Sequence, residues 1–216
     1  MRKKFEEQLS TLNDEMIRMG TMIEENIQKA IDSLVKSDIE MAKDIMEKDE
    51  LVDKKQKEIE TLCFHLLIQQ QPVARDLRVI TAAMKMVTDM ERIGDHAADI
   101  SEMTLFLADK DRNPTYDTLL KMAAEASVML IQSIDAYTKK DREQAREVIA
   151  HDDVVDALFC DVKRELVELI RSNPDSGEQE IDLLMVAKYL ERIGDHATNI
   201  AEWVIYSLDD RIRTEE

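Results

Sequence analysis

The heptapeptide ERIGDHA occurs twice in the 216-residue chain, at residues 91–97 and again at 191–197. In a helix it places its glutamate and its aspartate on one face, because residues i and i+4 lie one turn apart. One turn further on comes a third residue whose side chain carries oxygen, an aspartate in the first copy and an asparagine in the second. The two rows are Glu91, Asp95 and Asp99, and Glu191, Asp195 and Asn199.

A second acidic pair precedes each copy of the heptapeptide. Asp49 and Asp53 are four residues apart, and Asp53 lies nineteen residues before Pro72 while Glu91 lies nineteen after it. Asp49 and Asp95 are each twenty-three residues from the same proline. An antiparallel helical hairpin about Pro72 would therefore bring these four carboxylates to two matching levels. About the Asn173–Pro174 junction the same relation holds for Asp152, Asp156, Glu191 and Asp195.

Carboxylates on facing helices repel one another, so they protonate, splay apart, pair with cations or bind metal. Oxygen ligands suit Mg, Ca, Mn and Fe, and Zn at lower coordination number. Acidic i,i+4 pairs are common on solvated helix faces. Four such pairs at matching heights on facing helices nevertheless favour a cation site. The ten candidate ligands are these four pairs with Asp99 and Asn199. The rows are expected to face outward or sideways, away from the bundle centre.

The basic residues and the glycines of the heptapeptide have less definite roles. Arg92 and Arg192 could contact the metal ligands, as could His96 and His196, but for the histidines a surface position or a contact between helices is favoured. A glycine inside a helix costs about 1 kcal/mol relative to alanine. The glycine of each copy is therefore expected to allow close approach of a neighbouring helix, with a hinge as the alternative.

The elements that carry these residues are helices. Only 4 Gly and 3 Pro occur in the chain, and the segments between the breakers are apolar at helical period, with no competing strand-like alternation. Asp38 and the similar Asp141 are expected to begin helices. We predict six helices, over 3–36, 38–70, 73–110, 115–137, 141–171 and 178–208.

An internal duplication organises these helices into two sets of three. KSDIEMAKDIMEKDELVD (36–53) matches KKDREQAREVIAHDDVVD (139–156) at an offset of 103 residues, and the third helices match at an offset of 100. The sequence predicts an all-α chain of two tandem three-helix bundles, over residues 1–110 and 111–216. The third helices have core stripes with steps of three and four, namely Ala83, Met86, Met90, Ile93, Ala97, Ile100 and Thr104, and Leu183, Val186, Leu190, Ile193, Ala197, Ile200 and Val204.

Composition excludes several classes of protein. The formal net charge of −18 argues against nucleic acid as a partner, because phosphate binding needs clustered Lys and Arg. The N-terminal MRKKFEEQL lacks the apolar run of a signal peptide, and no apolar run approaches the ~20 residues of a membrane span, so a cytoplasmic location is expected. The 13 Met residues are expected to fill the core rather than line a groove. Both cysteines, Cys63 and Cys160, are expected to be buried.

Taken together, these motifs resemble those of the PhoU family of phosphate-uptake regulators. The family has two tandem three-helix bundles, and its signature is a repeated E/D-x-x-x-D on the second and third helices of each. Here it stands as DELVD (49–53), ERIGD (91–95), DDVVD (152–156) and ERIGD (191–195). The resemblance spans essentially the whole chain and rests on four copies in register. One departure is Asn199 where the first repeat has Asp99, which implies two sites of different charge.

The resemblance implies a function that spacing alone could not. Family members are non-enzymatic, cytoplasmic negative regulators of the phosphate-starvation response. They link a phosphate-specific ABC transporter to a membrane sensor histidine kinase, and they bind multinuclear iron or zinc clusters through these motifs. For this chain the resemblance therefore implies iron or zinc, with Mg, Mn or Ca not excluded. It implies the transporter and the kinase as partners, with attachment to the membrane only through them, and it favours a homodimer.

Two alternatives remain open at this stage. One is a helical scaffold without metal, whose acids are simply solvated. The other is a ferritin-like di-metal oxidase, which requires Glu-x-x-His with ligands pointing inward. The residue three after Glu91 is Gly94, which disfavours the oxidase.

Overall fold

The computed structural model describes residues 2–70, 73–109 and 115–209, and the side chains of all of these except 2–3 and 69–70. Over these ranges the chain forms long helices and no strand, which confirms the all-α prediction. A short 3-10 turn, Pro174–Ser176, separates the last two helices. The helices are α1 Arg2–Lys36, α2 Ile39–Gln70, α3 Ala74–Leu107, α4 Tyr116–Lys139, α5 Arg142–Ser172 and α6 Gly177–Ser207.

The helix boundaries follow the predicted breakers where these are described. Ser37 and Lys140 both adopt a positive φ, 53° and 57°, and each is followed by an aspartate that caps the next helix. Asp38 Oδ1 accepts from the backbone N–H of Met41 at 3.0 Å. Asp141 Oδ1 accepts from two backbone N–H groups, each also at 3.0 Å. These matching junctions lie 103 residues apart and repeat the offset seen in the sequence.

Other predicted breakers fall outside the described residues. Pro72 lies there, as do the Asn113–Pro114 turn and the predicted boundary between residues 110 and 111.

Within each set of three, every helix packs against the other two. Between the sets, α3 packs against α6 and α1 packs against α4, whereas α2 and α5 contact only helices of their own set within the described residues. The third helix of each repeat is therefore central. This arrangement leaves α2 and α5 on opposite flanks and puts both copies of the heptapeptide on the central pair.

The core is built from the predicted stripes. All seven stripe residues of α3 and all seven of α6 are buried, so the helical phase read from the sequence is confirmed. Among the residues that the structure describes, six methionines are fully buried and fill the space between the helices, as expected from the flexible thioether side chain. They are Met16, Met19, Met86, Met90, Met122 and Met129.

The prediction that both cysteines are buried is confirmed for Cys63 and wrong for Cys160. Cys63 is buried on α2, and burial raises the pKa of its thiol to about 12. Cys160 on α5 is exposed. The buried face of α5 passes through Val155 and Val162, and at about 100° per residue Cys160 lies well off that face. Its apolar neighbours in sequence therefore gave a misleading prediction.

None of the helices, over the described ranges, carries an apolar stretch long enough to cross a bilayer.

Candidate metal centre

The acidic residues of the first repeat meet in the groove between α2 and α3. Asp49, Asp53 and Asp95 are half-buried, and one carboxylate oxygen from each lies within 4.8 Å of the other two. Two of them stand one turn apart on α2 and the third faces them from α3, as the hairpin count predicted. These three residues are called the first acidic site.

A glycine permits this approach of the two helices. A Cβ built on Gly94 would lie 2.9 Å from Val52 Cγ1 and 3.5 Å from Asp49 Oδ1. The expectation of a close helix contact at this glycine is thus confirmed. In the second repeat a Cβ on Gly194 would lie 3.1 Å from Asp152 Oδ1 and 3.4 Å from Val155 Cγ1. The absence of a side chain therefore brings an aspartate of the second helix against the third helix in both repeats.

Burial and mutual repulsion make these carboxylates weaker acids than free ones. Burial, followed by the charges of Asp95, Asp53 and Glu91, raises the pKa of Asp49 to about 6. The pKa of Asp152 is likewise raised to about 6, first by burial and then by Asp156 and Asp195. Burial is also the largest cause of the raised pKa of Glu91 and of Asp195. The sites thus concentrate negative charge that nearby basic groups do not fully compensate.

The first acidic site fits a hard or borderline metal cation. It supplies carboxylate oxygens alone, from two helices, and their spacing lets them share one ion or bridge two. A cation bound among them would relieve the repulsion that raises the pKa of Asp49. Glu91 and Asp99 lie nearby on α3, close enough for their charges to affect Asp49, and they could complete the ligand set.

The second repeat brings its acids together less tightly. Asp152 and Glu191 are half-buried, but Asp156 and Asp195 are exposed. Among the described residues, a convergent group of three carboxylates occurs only in the first repeat. The four residues Asp152, Asp156, Glu191 and Asp195 are called the second acidic site.

Each site has a basic residue paired with its acids, but this residue stands at a different position in the two repeats. Arg92 Nη1 donates to Asp95 Oδ2 at 2.6 Å, and its Nε lies 3.5 Å from Glu91. In the second site it is Lys188 whose Nζ donates to both oxygens of Glu191. The possible role of Arg92 beside the ligands is thus consistent with its position.

The histidines of the heptapeptides lie at the interface between α3 and α6. His96 is buried and stacks on Tyr189, with ring centroids 5.7 Å apart, and its ring is also 5.7 Å from that of His196. Its Nδ1 lies 3.1 Å from Asp99 Oδ2. The sequence left three roles open for these histidines: contact with the metal ligands, a surface position, or contact between helices. In the structure they lie in the contact between α3 and α6.

The partners of His196 differ from those of His96. His196 Nδ1 lies 2.8 Å from Asp89 Oδ1, and Asn199 Nδ2 donates to the same oxygen at 3.1 Å. Asn199, a candidate ligand, therefore bonds across to α3, whereas its counterpart Asp99 bonds within its own helix. A groove of about 460 Å³ runs beside this interface, lined by residues of both repeats including Arg92, Arg192 and Asp95.

Sequence reasoning missed Asp89, Tyr189 and Lys188. Asp89 and Tyr189 occupy equivalent positions, 100 residues apart and seven residues before the two histidines. That spacing places each on the histidine face of its helix, but only the docking of α3 on α6 shows that each meets the opposite histidine. Lys188 stands three residues before Glu191, an ion-pair spacing that was readable from the sequence.

Comparison with known proteins agrees with the duplicated architecture. The family model described as "PhoU domain" matches residues 16–104 and again 119–204. The "Phosphate-specific transport system accessory protein PhoU homolog" of Clostridium acetobutylicum is 40% identical over 95% of this chain and 94% of its own length. A relative with the same name from Synechocystis is 36% identical, over 95% of this chain and 91% of its own length.

Two crystal structures have the same fold. PhoU from Pseudomonas aeruginosa superposes with a TM-score of 0.88 at 30% identity, covering 94% of this chain and 98% of that one. The phosphate transport system regulatory protein PhoU from Streptococcus pneumoniae gives 0.85 at 27% identity, covering 94% and 96%. With its double match to the family model and relatives aligned over nearly their full length, the chain belongs to the PhoU family.

Proposed function

We propose that this protein is an accessory protein of a phosphate-specific transport system that acts as a negative regulator of phosphate uptake and of the phosphate-starvation response. The observation that carries the proposal is full-length similarity. Relatives named as accessory proteins of such systems align over nearly all of both chains, so the similarity is not confined to one shared module.

In this proposal the protein works by binding rather than by catalysis. It is a cytoplasmic adaptor that contacts the phosphate ABC transporter and a sensor histidine kinase, and it reaches the membrane only through those partners. The exposed surface is acidic overall, with a net charge of −18, which suits docking on basic protein surfaces. Two copies of the chain form the working unit.

Metal binding is the second part of the proposal. Asp49, Asp53 and Asp95 would hold a cation in the first acidic site, assisted by Glu91 and Asp99. The second acidic site would hold another. Iron or zinc is the metal we propose on family grounds, and the all-carboxylate ligand set also accepts Mg, Mn or Ca. A bound cation would neutralise the repulsion between the facing helices and so fix their spacing.

The regulatory role predicts that loss of the protein derepresses the phosphate-starvation genes. In a strain lacking the gene, a phosphate-starvation promoter fused to a reporter should be active in high phosphate, where the parent strain keeps it silent. A plasmid copy of the wild-type gene should restore silencing, and an empty plasmid should not. Unchanged reporter activity in the deletion strain would contradict the regulatory role.

A further inference from the structure

The two acidic sites differ in the charges that surround them. Glu91 and Glu191 are equivalent and equally shielded, since their side chains are 16% and 15% exposed. Three residues before Glu191, however, stands Lys188, whereas the equivalent position of the first repeat is Thr88. The hydroxyl of Thr88 donates to the backbone carbonyl of Met84 at 3.2 Å and offers no charge.

Lys188 is held over the second site by two contacts. Its Nζ donates to Glu191 Oε1 at 2.6 Å and also to Oε2. The same Nζ lies 5.6 Å from the centroid of the Phe159 ring, which is a cation–π distance. Its charge also reaches Asp195, where it opposes the effect of burial on the pKa of that carboxyl. A lysine so placed occupies carboxylate oxygens that a metal would need.

A second lysine strengthens the difference. Lys163 Nζ lies 5.3 Å from the centroid of the same Phe159 ring. Its equivalent in the first repeat is Glu60, whose negative charge contributes to the raised pKa of Glu91. At this equivalent position of the second helix, the charge is therefore positive in the second repeat and negative in the first.

The arginines of the heptapeptides do not occupy equivalent surroundings. Arg92 Nη1 donates to one oxygen of Asp95 in the first site, and Arg192 lines the groove that also contains Asp95 and Asp99. Each site therefore has a basic partner, but Lys188 donates to both oxygens of its carboxylate, whereas Arg92 donates to one oxygen of Asp95.

We infer that Lys188 is a built-in counter-ion of the second acidic site and makes that site bind divalent cations more weakly than the first. The inference rests on the proposed metal-binding function. A cation entering the second site must displace the ammonium group from both oxygens of Glu191, whereas in the first site Arg92 donates to a single oxygen of Asp95. The two halves of the duplicated chain would then load with metal at different concentrations of the free ion.

A reciprocal exchange of the two residues tests the inference, with Mn²⁺ as the probe and its free concentration followed by electron paramagnetic resonance. Asp95→Asn disables the first site and leaves the second to be read alone, and Asp195→Asn does the reverse. Adding Lys188→Thr to the first of these should tighten Mn²⁺ binding by about tenfold, as expected for removal of a charge-assisted hydrogen bond. Adding Thr88→Lys to the second should weaken binding by a similar factor.

Lys43→Thr is the matched control, because Lys43 is an exposed lysine of α2 that pairs with Glu40. It removes one positive charge away from the site and should change Mn²⁺ binding far less than Lys188→Thr. Equal effects of Lys43→Thr and Lys188→Thr on Mn²⁺ binding would overturn the inference but not the metal-binding function. The same holds if the exchange of residues 88 and 188 has no effect in proteins that bind Mn²⁺. Wild-type protein that binds no Mn²⁺ would contradict the metal-binding function as well.

Discussion

Without divalent cations, the protein should become less stable as the pH rises from about 4 to about 6. The folded state raises the pKa of Asp49 and of Asp152 to about 6, whereas an aspartate in the unfolded chain has a pKa of about 3.9. Between these values the folded protein binds more protons than the unfolded chain. The free energy of unfolding therefore falls through this window and levels off above it.

The loss should be on the order of 1 kcal/mol for each of the two aspartates, after allowance for their contact with solvent. Denaturant unfolding in the presence of a chelator at pH 4.5, 6.0 and 7.5 measures it. Asp32, whose pKa is lowered by its hydrogen bond to Lys36, does not interfere, because its contribution to the free energy of unfolding changes below about pH 4.

The double substitution Asp49→Asn/Asp152→Asn should flatten the pH profile and raise stability at pH 7.5 in the chelator. Its control is Asp44→Asn/Asp161→Asn, which removes an exposed and a half-buried aspartate of the same two helices. These aspartates pair with Lys48 and Arg164. The control should keep the slope of the parent. A wild-type profile that rises steadily with pH through this window would contradict the repulsion on which the sites depend.

Gly94→Val should both destabilise the protein and weaken cation binding at the first acidic site. Even a single Cβ at residue 94 would come within 2.9 Å of Val52 Cγ1, and Val52 is a buried, β-branched residue that has little room to move. Overpacking of this kind costs typically 1–3 kcal/mol. Relief requires α2 and α3 to move apart, which separates Asp49 from Asp95.

Gly177→Val provides the comparison for Gly94→Val. A Cβ on Gly177 has no neighbour within 4 Å, and its φ is negative, so the same substitution there adds no clash. Denaturant midpoints and Mn²⁺ binding of the two variants should differ clearly, with Gly177→Val close to wild type. Equal midpoints would show that the helices at residue 94 accommodate a side chain, contrary to the close approach described above.

The site geometry was predictable to the extent that it depends on helical phase and hairpin length. The i,i+4 spacing fixed which acids share a face, and equal distances from Pro72 fixed which acids meet, because residues of antiparallel helices pair by level. The core stripes were predictable for the same reason. The matching caps at Asp38 and Asp141 show how local sequence begins the second helix of each repeat at equivalent points.

The contacts between the repeats were not predictable in this way. That His96 meets Tyr189 while His196 meets Asp89 depends on how α3 docks on α6, and no periodicity within one helix determines the docking of two. The exposure of Cys160 is a different case. Its apolar neighbours suggested burial, but the phase of Val155 and Val162 places it off the core face, and phase decides burial on an amphipathic helix.

The central claim is that the paired acidic motifs hold metal, and elemental analysis of untagged protein purified without chelator tests it most directly. The wild-type protein should retain iron, zinc or another divalent metal well above the level of Asp95→Asn/Asp195→Asn. The variant Asp44→Asn/Asp161→Asn, which loses the same number of charges outside the sites, should retain as much metal as the wild type. Wild-type protein with no more metal than the Asp95→Asn/Asp195→Asn variant would contradict the claim and favour a helical scaffold with solvated acids.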